Sequence, residues 1–139
     1  MIKELLTYTP VDVWDMDRLM KELSATSYCN ETILDNIIGD SNSHLYVIRT
    51  DDRIVGCACL CVAHTPEFTL GFIESVTVIP SCRGKGYGRM LMEFLIAEAK
   101  QYGVQHLHLT SNPRRVSANC LYQALGFIRY DTNCYKKDI

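Results

Sequence analysis

One stretch limits the fold more than any other: FIESVTVIPSCRGKGYGRMLMEFLIAEAK, from Phe72 to Lys100. Its first part is apolar and β-branched, through Ile73, Val76, Thr77, Val78 and Ile79, and Pro80 stops it. Its last part sets Leu91, Phe94, Leu95 and Ala99 at helical spacing, up to Gly103 as the stop. A strand therefore hands over to a helix across a loop that holds Arg83, Gly84, Lys85, Gly86, Gly88 and Arg89.

Such a loop has one strong chemical use. The first N–H groups of a helix lack intrahelical partners and point along its axis, where the macrodipole adds positive potential. Glycine lets an anion approach the backbone, and the cations add charge. The segment is built to hold an anion with several oxygens, such as a diphosphate. A P-loop would need Lys-Ser or Lys-Thr after its last glycine, and a dinucleotide loop needs G-x-G-x-x-G. Gly84, Gly86 and Gly88 give G-x-G-x-G instead.

The elements around the loop describe one domain. Met1–Tyr8 reads as a short strand. Thr9 caps a helix with Pro10 at N1 and Asp12 at N3, its apolar face supplied by Trp14, Leu19, Met20 and Leu23. Asn30 caps a second helix carrying Ile33, Leu34, Ile37 and Ile38, ended by Gly39. HLYVIRT and IVGCACLCVA form a hairpin turning at Asp51–Arg53, followed by the strand LGFIESVTVI. QHLHLTS is a further strand. The last helix runs from Val116 to Leu125, with Cys120, Leu121, Ala124 and Leu125 inward. FIRYDTNCYKK supplies one or two closing strands. The order predicts an α+β domain over residues 1–139, with a mixed twisted sheet of six or seven strands and helices on both faces.

Bulk properties narrow the class. At 139 residues, 47% apolar and net charge −2, the chain suits one globular domain with no bias toward nucleic acid or an anionic membrane. No apolar run reaches transmembrane length, and the N-terminus carries no export signal, so a cytoplasmic protein is expected. The seven cysteines are odd in number and read as free thiols. Cys57, Cys59 and Cys61 alternate along one strand face. Same-face positions lie about 6.6 Å apart, an awkward spread for one zinc ion, so they are taken as small buried hydrophobes and no metal is expected.

RGKGYG at 83–88 resembles the Arg/Gln-x-x-Gly-x-Gly/Ala pyrophosphate loop of the GNAT N-acetyltransferase superfamily. IESVTV before it, and NCLYQALGF at Asn119–Phe127 about thirty residues later, are similar to the family's glutamate-bearing strand and its A-x-x-L-Y-x-x-x-G-F segment. The resemblance implies acetyl-coenzyme A as cosubstrate, its diphosphate on the backbone of Gly84, Lys85, Gly86, Tyr87, Gly88 and Arg89, with Arg83 beside it. It implies a splay in the sheet where the main chain of Val76, Thr77 and Val78 orients the pantetheine arm. It also makes Tyr122 the acid that protonates the leaving thiolate.

Glu74 is the one acidic residue in its strand and stands where many family members place a carboxylate, so it is the candidate base, acting through water. His64 is a second candidate in an exposed loop, while His106 and His108 are read as pairing or packing residues. Many members carry asparagine seven residues before the tyrosine. Here that position is Arg115, and Asn112 and Asn119 are the residues available to replace its contact with the arm. Thr110 stands where some peptide-acetylating members have glutamate, which favours a small-molecule amine over a peptide or protein acceptor. A non-catalytic acyl-CoA-binding module would keep the loop without needing Glu74 and Tyr122. The tail YDTNCYKKDI is assigned to the site wall or to a homodimer contact.

Overall fold

The computed structural model describes all residues, Met1–Ile139. Five strands, β1 (Ile2–Glu4), β2 (Ser43–Thr50), β3 (Arg53–His64), β4 (Thr69–Val78) and β5 (His106–His108), lie side by side in chain order. The first four are antiparallel neighbours, and β5 joins β4 in parallel. The helices are α1 (Pro10–Leu23), α2 (Glu31–Ile38), α3 (Tyr87–Gln101) and α4 (Val116–Ala124).

The mixed α+β sheet is as expected, but it has five strands. The closing strands over FIRYDTNCYKK do not form. Beyond Phe127, whose N–H donates to the Tyr122 carbonyl, the tail has only a local Thr132–Tyr130 backbone bond, and Ile128, Tyr130 and Tyr135 are exposed. The reason lies in the composition: Asp131, Thr132 and Asn133 interrupt the apolar residues with turn formers.

Local chemistry explains the ends of the elements. Thr9 accepts from the Asp12 N–H at 3.2 Å while the Asp12 carboxylate accepts from the Thr9 N–H at 3.0 Å, a reciprocal capping box. Asn30 accepts from the Ile33 N–H at 2.9 Å. The β2–β3 turn sets Asp51 at φ 49° and Asp52 at φ 61°, both left-handed, as a two-residue turn matching strand twist requires.

Tyr46, opposite Ala58, meets Phe94 of α3 edge-on with ring centroids 5.2 Å apart. Cys57, next along β3, points to the other face, where Cys29 lies between α1 and α2; burial first and then Cys29 push its thiol up to about 12. So α3 covers one face and α1 with α2 the other. On α1 the apolar side is only partly as expected. Met16 and Leu19 are buried, but Trp14 is exposed, lying under the guanidinium groups of Arg18 and Arg53 at 5.1 and 5.3 Å. Asp15, wholly buried, takes its place toward the sheet, accepting from Arg53 Nε at 2.9 Å and from the Ile54 N–H at 3.0 Å. In α4 the buried residue is Tyr122, while Cys120 and Ala124 face outward. Leu121 and Leu125 are half-buried against the core as expected, so the inward stripe of α4 is narrower than its apolar residues offer.

Candidate active site

The glycine loop has the geometry its residues imply. Pro80–Cys82 makes one tight 3₁₀ turn, and the chain then passes through Gly84 at φ 77° and Gly86 at φ 83°. Only glycine adopts these angles without strain, and a Cβ at either position would meet nothing within 4 Å. Gly86 is the N-cap of α3 and offers no side chain to its amides; the helical bonds begin with the Met90 N–H to the Gly86 carbonyl at 3.0 Å. The N–H groups of Tyr87, Gly88 and Arg89 therefore face open space at the positive helix end. Among the three cations, Arg89 pairs with Glu93 at 3.0 Å and Arg83 with Glu22 at 3.3 Å, whereas Lys85 is exposed and in no ion pair.

β4 is not a regular strand where it approaches this loop. Cys57 pairs with Thr77 but Cys59 pairs with Glu74, so β4 carries one extra residue opposite Ala58. Ser75 absorbs the bulge at φ 56°, and the Cys57 thiol donates to its carbonyl at 3.4 Å. Pairing with β5 covers Leu70, Gly71 and Phe72 and then ends. Because the Ile79 N–H donates to the Val55 carbonyl, Ile79 and Thr77 face β3, and the backbone groups of Val76 and Val78 turn to the unpaired edge. Arg83 Nε donates to the Val78 carbonyl at 3.0 Å. Of the three residues expected to meet the pantetheine arm, Val76 keeps both backbone groups free at that edge, Val78 keeps its N–H, and Thr77 is turned to β3.

The gap between β4 and β5 opens into a cleft of about 210 Å³, lined by Leu23, Ile73, Glu74, Ser75, Val76, Leu109, Thr110, Arg115 and Tyr122. Both residues assigned to proton transfer line it, Glu74 from β4 and Tyr122 from α4. Glu74 is exposed and makes no ion pair, so a bridge across the sheet does not explain it. Tyr122 is 6% exposed, its ring edge-on to Phe127 with centroids 6.2 Å apart.

Other expected residues fall elsewhere. Asn119 Nδ2 donates to the Asn112 carbonyl at 3.0 Å, and Asn112 Oδ1 accepts from the Arg114 N–H at 2.9 Å, so both asparagines clamp the β5–α4 loop and neither lines the cleft. Arg115, noted in the sequence as a departure from the pattern, is the residue that reaches it. His64 bonds Thr69 at 3.3 Å at the far end of the β3–β4 hairpin. His106 packs on Phe68, and His108 on Phe72 and Tyr130.

The family model described as "Acetyltransferase (GNAT) family" matches residues 11–127, which hold the loop, the bulged strand and α4. The chain belongs to the GNAT acetyltransferase family. Among curated GNAT-like relatives, the [Ribosomal protein bS18]-alanine N-acetyltransferase of Haemophilus influenzae is 33% identical over 106 residues, 75% of this chain and 68% of that one. Serotonin N-acetyltransferase 2, chloroplastic, of rice (Oryza sativa subsp. japonica) is 44% identical over 55 residues, 40% of this chain. The chain spans 26% of the rice protein's length. In fold, glucosamine-6-phosphate N-acetyltransferase from Arabidopsis thaliana superposes with a TM-score of 0.79 at 19% identity, over 99% of this chain and 97% of the other.

Proposed function

We propose that this GNAT acetyltransferase moves the acetyl group of acetyl-coenzyme A to the primary amine of a small molecule by direct attack. The observation that carries the reading is the cleft itself. Glu74 and Tyr122 line one cleft, on the strand that runs into a helix whose first amides lack partners.

Acetyl-coenzyme A supplies the thioester. The amides of Tyr87, Gly88 and Arg89, with Lys85 beside them, hold its diphosphate, and Gly84 and Gly86 leave room for it. The free backbone groups of Val76 and the Val78 N–H align the arm as a strand edge aligns a peptide. Glu74 takes the proton that the incoming ammonium must lose, through water. Tyr122 Oη donates a proton to the departing sulfur.

A peptide N-terminus is the second reading, favoured by the 33% identity to the ribosomal-protein enzyme. One experiment separates the two: the purified chain is given acetyl-coenzyme A with pooled small amines in one vessel and N-terminal peptides in another, and products are read by mass spectrometry. Acetylated small amines support the main reading; acetylation of peptides alone replaces it with the second. Tighter binding of ATP or NAD than of acetyl-coenzyme A, by calorimetry, would defeat both.

A further inference from the structure

Cys59 and Cys61 are not separated like their backbones. Their side chains lean together, with the sulfurs 3.9 Å apart. All seven cysteines are free thiols, and these two are half-buried. Each donates to or accepts from the other, which lowers the Cys61 pKa and raises that of Cys59. Ser43 of β2 stands directly opposite Cys61, its hydroxyl donating to Asp40 at 2.6 Å.

Their place on the sheet matters as much as their spacing. Leu45, Cys59 and Glu74 form one row across β2, β3 and β4, and Ser43, Cys61 and Phe72 form the next. Residues directly opposite in antiparallel strands share a face. This is the face of α1 and α2, and its cover thins from row to row: Val47, Cys57 and Leu45 are sealed, while Ser43, Cys59, Cys61 and Phe72 are half-open and Glu74 is exposed. The two thiols therefore adjoin Glu74 where the cover thins.

We propose that Cys59 and Cys61 form a dithiol site for a soft, thiophilic centre that is satisfied by two thiolates, a monosubstituted trivalent arsenical. No group of three or more His, Cys, Asp or Glu side chains is placed to share a metal ion, which disfavours zinc and suits an arsenic that already carries one carbon. With an arsine oxide, two As–S bonds form, the arsenic–oxygen bond breaks, and both thiol protons leave with the oxygen as one water. Arsenic keeps its oxidation state. The adduct stands beside Glu74 and obstructs the amine's approach; this consequence rests on the acetyl-transfer reading, whereas the binding does not.

The probe is phenylarsine oxide, added at equimolar amount to the full reduced chain and followed by intact mass. The expected product carries one phenylarsenic group on two sulfurs, is reversed by a small dithiol, and resists a monothiol. Cys59→Ala and Cys61→Ala should each weaken the adduct at least about 100-fold, because one of two linked bonds is gone. Cys120→Ala and Cys134→Ala, at exposed thiols, should leave it unchanged. In the unaltered chain, peptide mapping should place the adduct on the segment holding Cys59 and Cys61, a readout independent of any variant's folding. An adduct mapped to other cysteines, no stoichiometric adduct, or full binding by Cys61→Ala would overturn the proposal. Loss of acetyl transfer in step with occupancy ties the site to the amine's path; full activity in the loaded protein would remove only the obstruction.

Discussion

Arg83 Nε donates to the Val78 carbonyl at 3.0 Å, and the same guanidinium reaches Glu22 on α1 at 3.3 Å. The side chain thus ties the glycine loop to the open edge of β4. Arg83→Ala should raise the KM for acetyl-coenzyme A about tenfold, equivalent to the ~1.4 kcal/mol of one charge-assisted bond. Glu22→Ala should leave that KM within about twofold, since exposed ion pairs contribute little. Equal effects from both would mean that the ion pair, and not the carbonyl contact, positions the loop.

Gly86→Asp puts a carboxylate and a Cβ into the space in front of the α3 amides. The left-handed angle costs about 1 kcal/mol for a side chain, so the fold should survive. Calorimetry should find acetyl-coenzyme A binding abolished. Gly103→Asp is the control: its φ is 74° and its surroundings are equally empty, but it lies at the other end of α3. It should cost similar stability and no affinity. If both variants bind acetyl-coenzyme A normally, the loop is not the diphosphate site.

Tyr122→Phe keeps the ring against Phe127 and removes only the hydroxyl. Stability should change by about 1 kcal/mol or less, and acetyl-coenzyme A affinity should hold. Turnover should fall about 10²–10⁴-fold, the usual cost of losing a general acid that acts only in the transition state. A variant with normal kcat would make Tyr122 a packing residue.

Asp12 gives a pH dependence whose sign can be worked out. Burial raises its pKa, but the hydrogen bond from Arg49 at 2.7 Å and the Thr9 N–H outweigh that and hold it below the ordinary carboxylate range. A depressed native pKa stabilises the fold above the unfolded value, about 3.9, and the gain disappears as pH falls through the native value. Thermal midpoints should therefore drop more steeply below about pH 4 in the unaltered chain than in Arg49→Met, which has less to lose. Parallel curves would remove the Asp12–Arg49 pair as a source of acid sensitivity.

The fold was legible where periodicity and caps agreed. Thr9, Pro10 and Asp12 announced α1, Asn30 announced α2, and Gly86 and Gly103 bracketed α3. The tail reads as a strand because its apolar residues alternate, but a strand forms only where a sheet edge lies within reach, and that depends on the whole fold. Trp14 was misplaced for a similar reason: α1 buries Asp15 against Arg53, and two buried aspartates shift the helix's inward side away from its largest residue. Of the residues lining the cleft, local motifs single out Glu74 and Tyr122. Arg115 in the cleft and the clamping role of Asn112 and Asn119 were not legible, since both depend on how the β5–α4 loop closes on itself. The bulge at Ser75 left no mark in the sequence beyond a serine among β-branched neighbours.

β5 joins the rest of the sheet through three residue pairs. The antiparallel meander of β2, β3 and β4 is made of near neighbours in sequence, whereas β5 must wait for all of α3 to cross over. The gap between β4 and β5 is thus also a fault line between an early-folding half and a late one. Amide hydrogens of β5 and α4 should exchange sooner than those of β3. A molecule gripping both rims of that line would act as a splint, slowing exchange on the far side more than on the near.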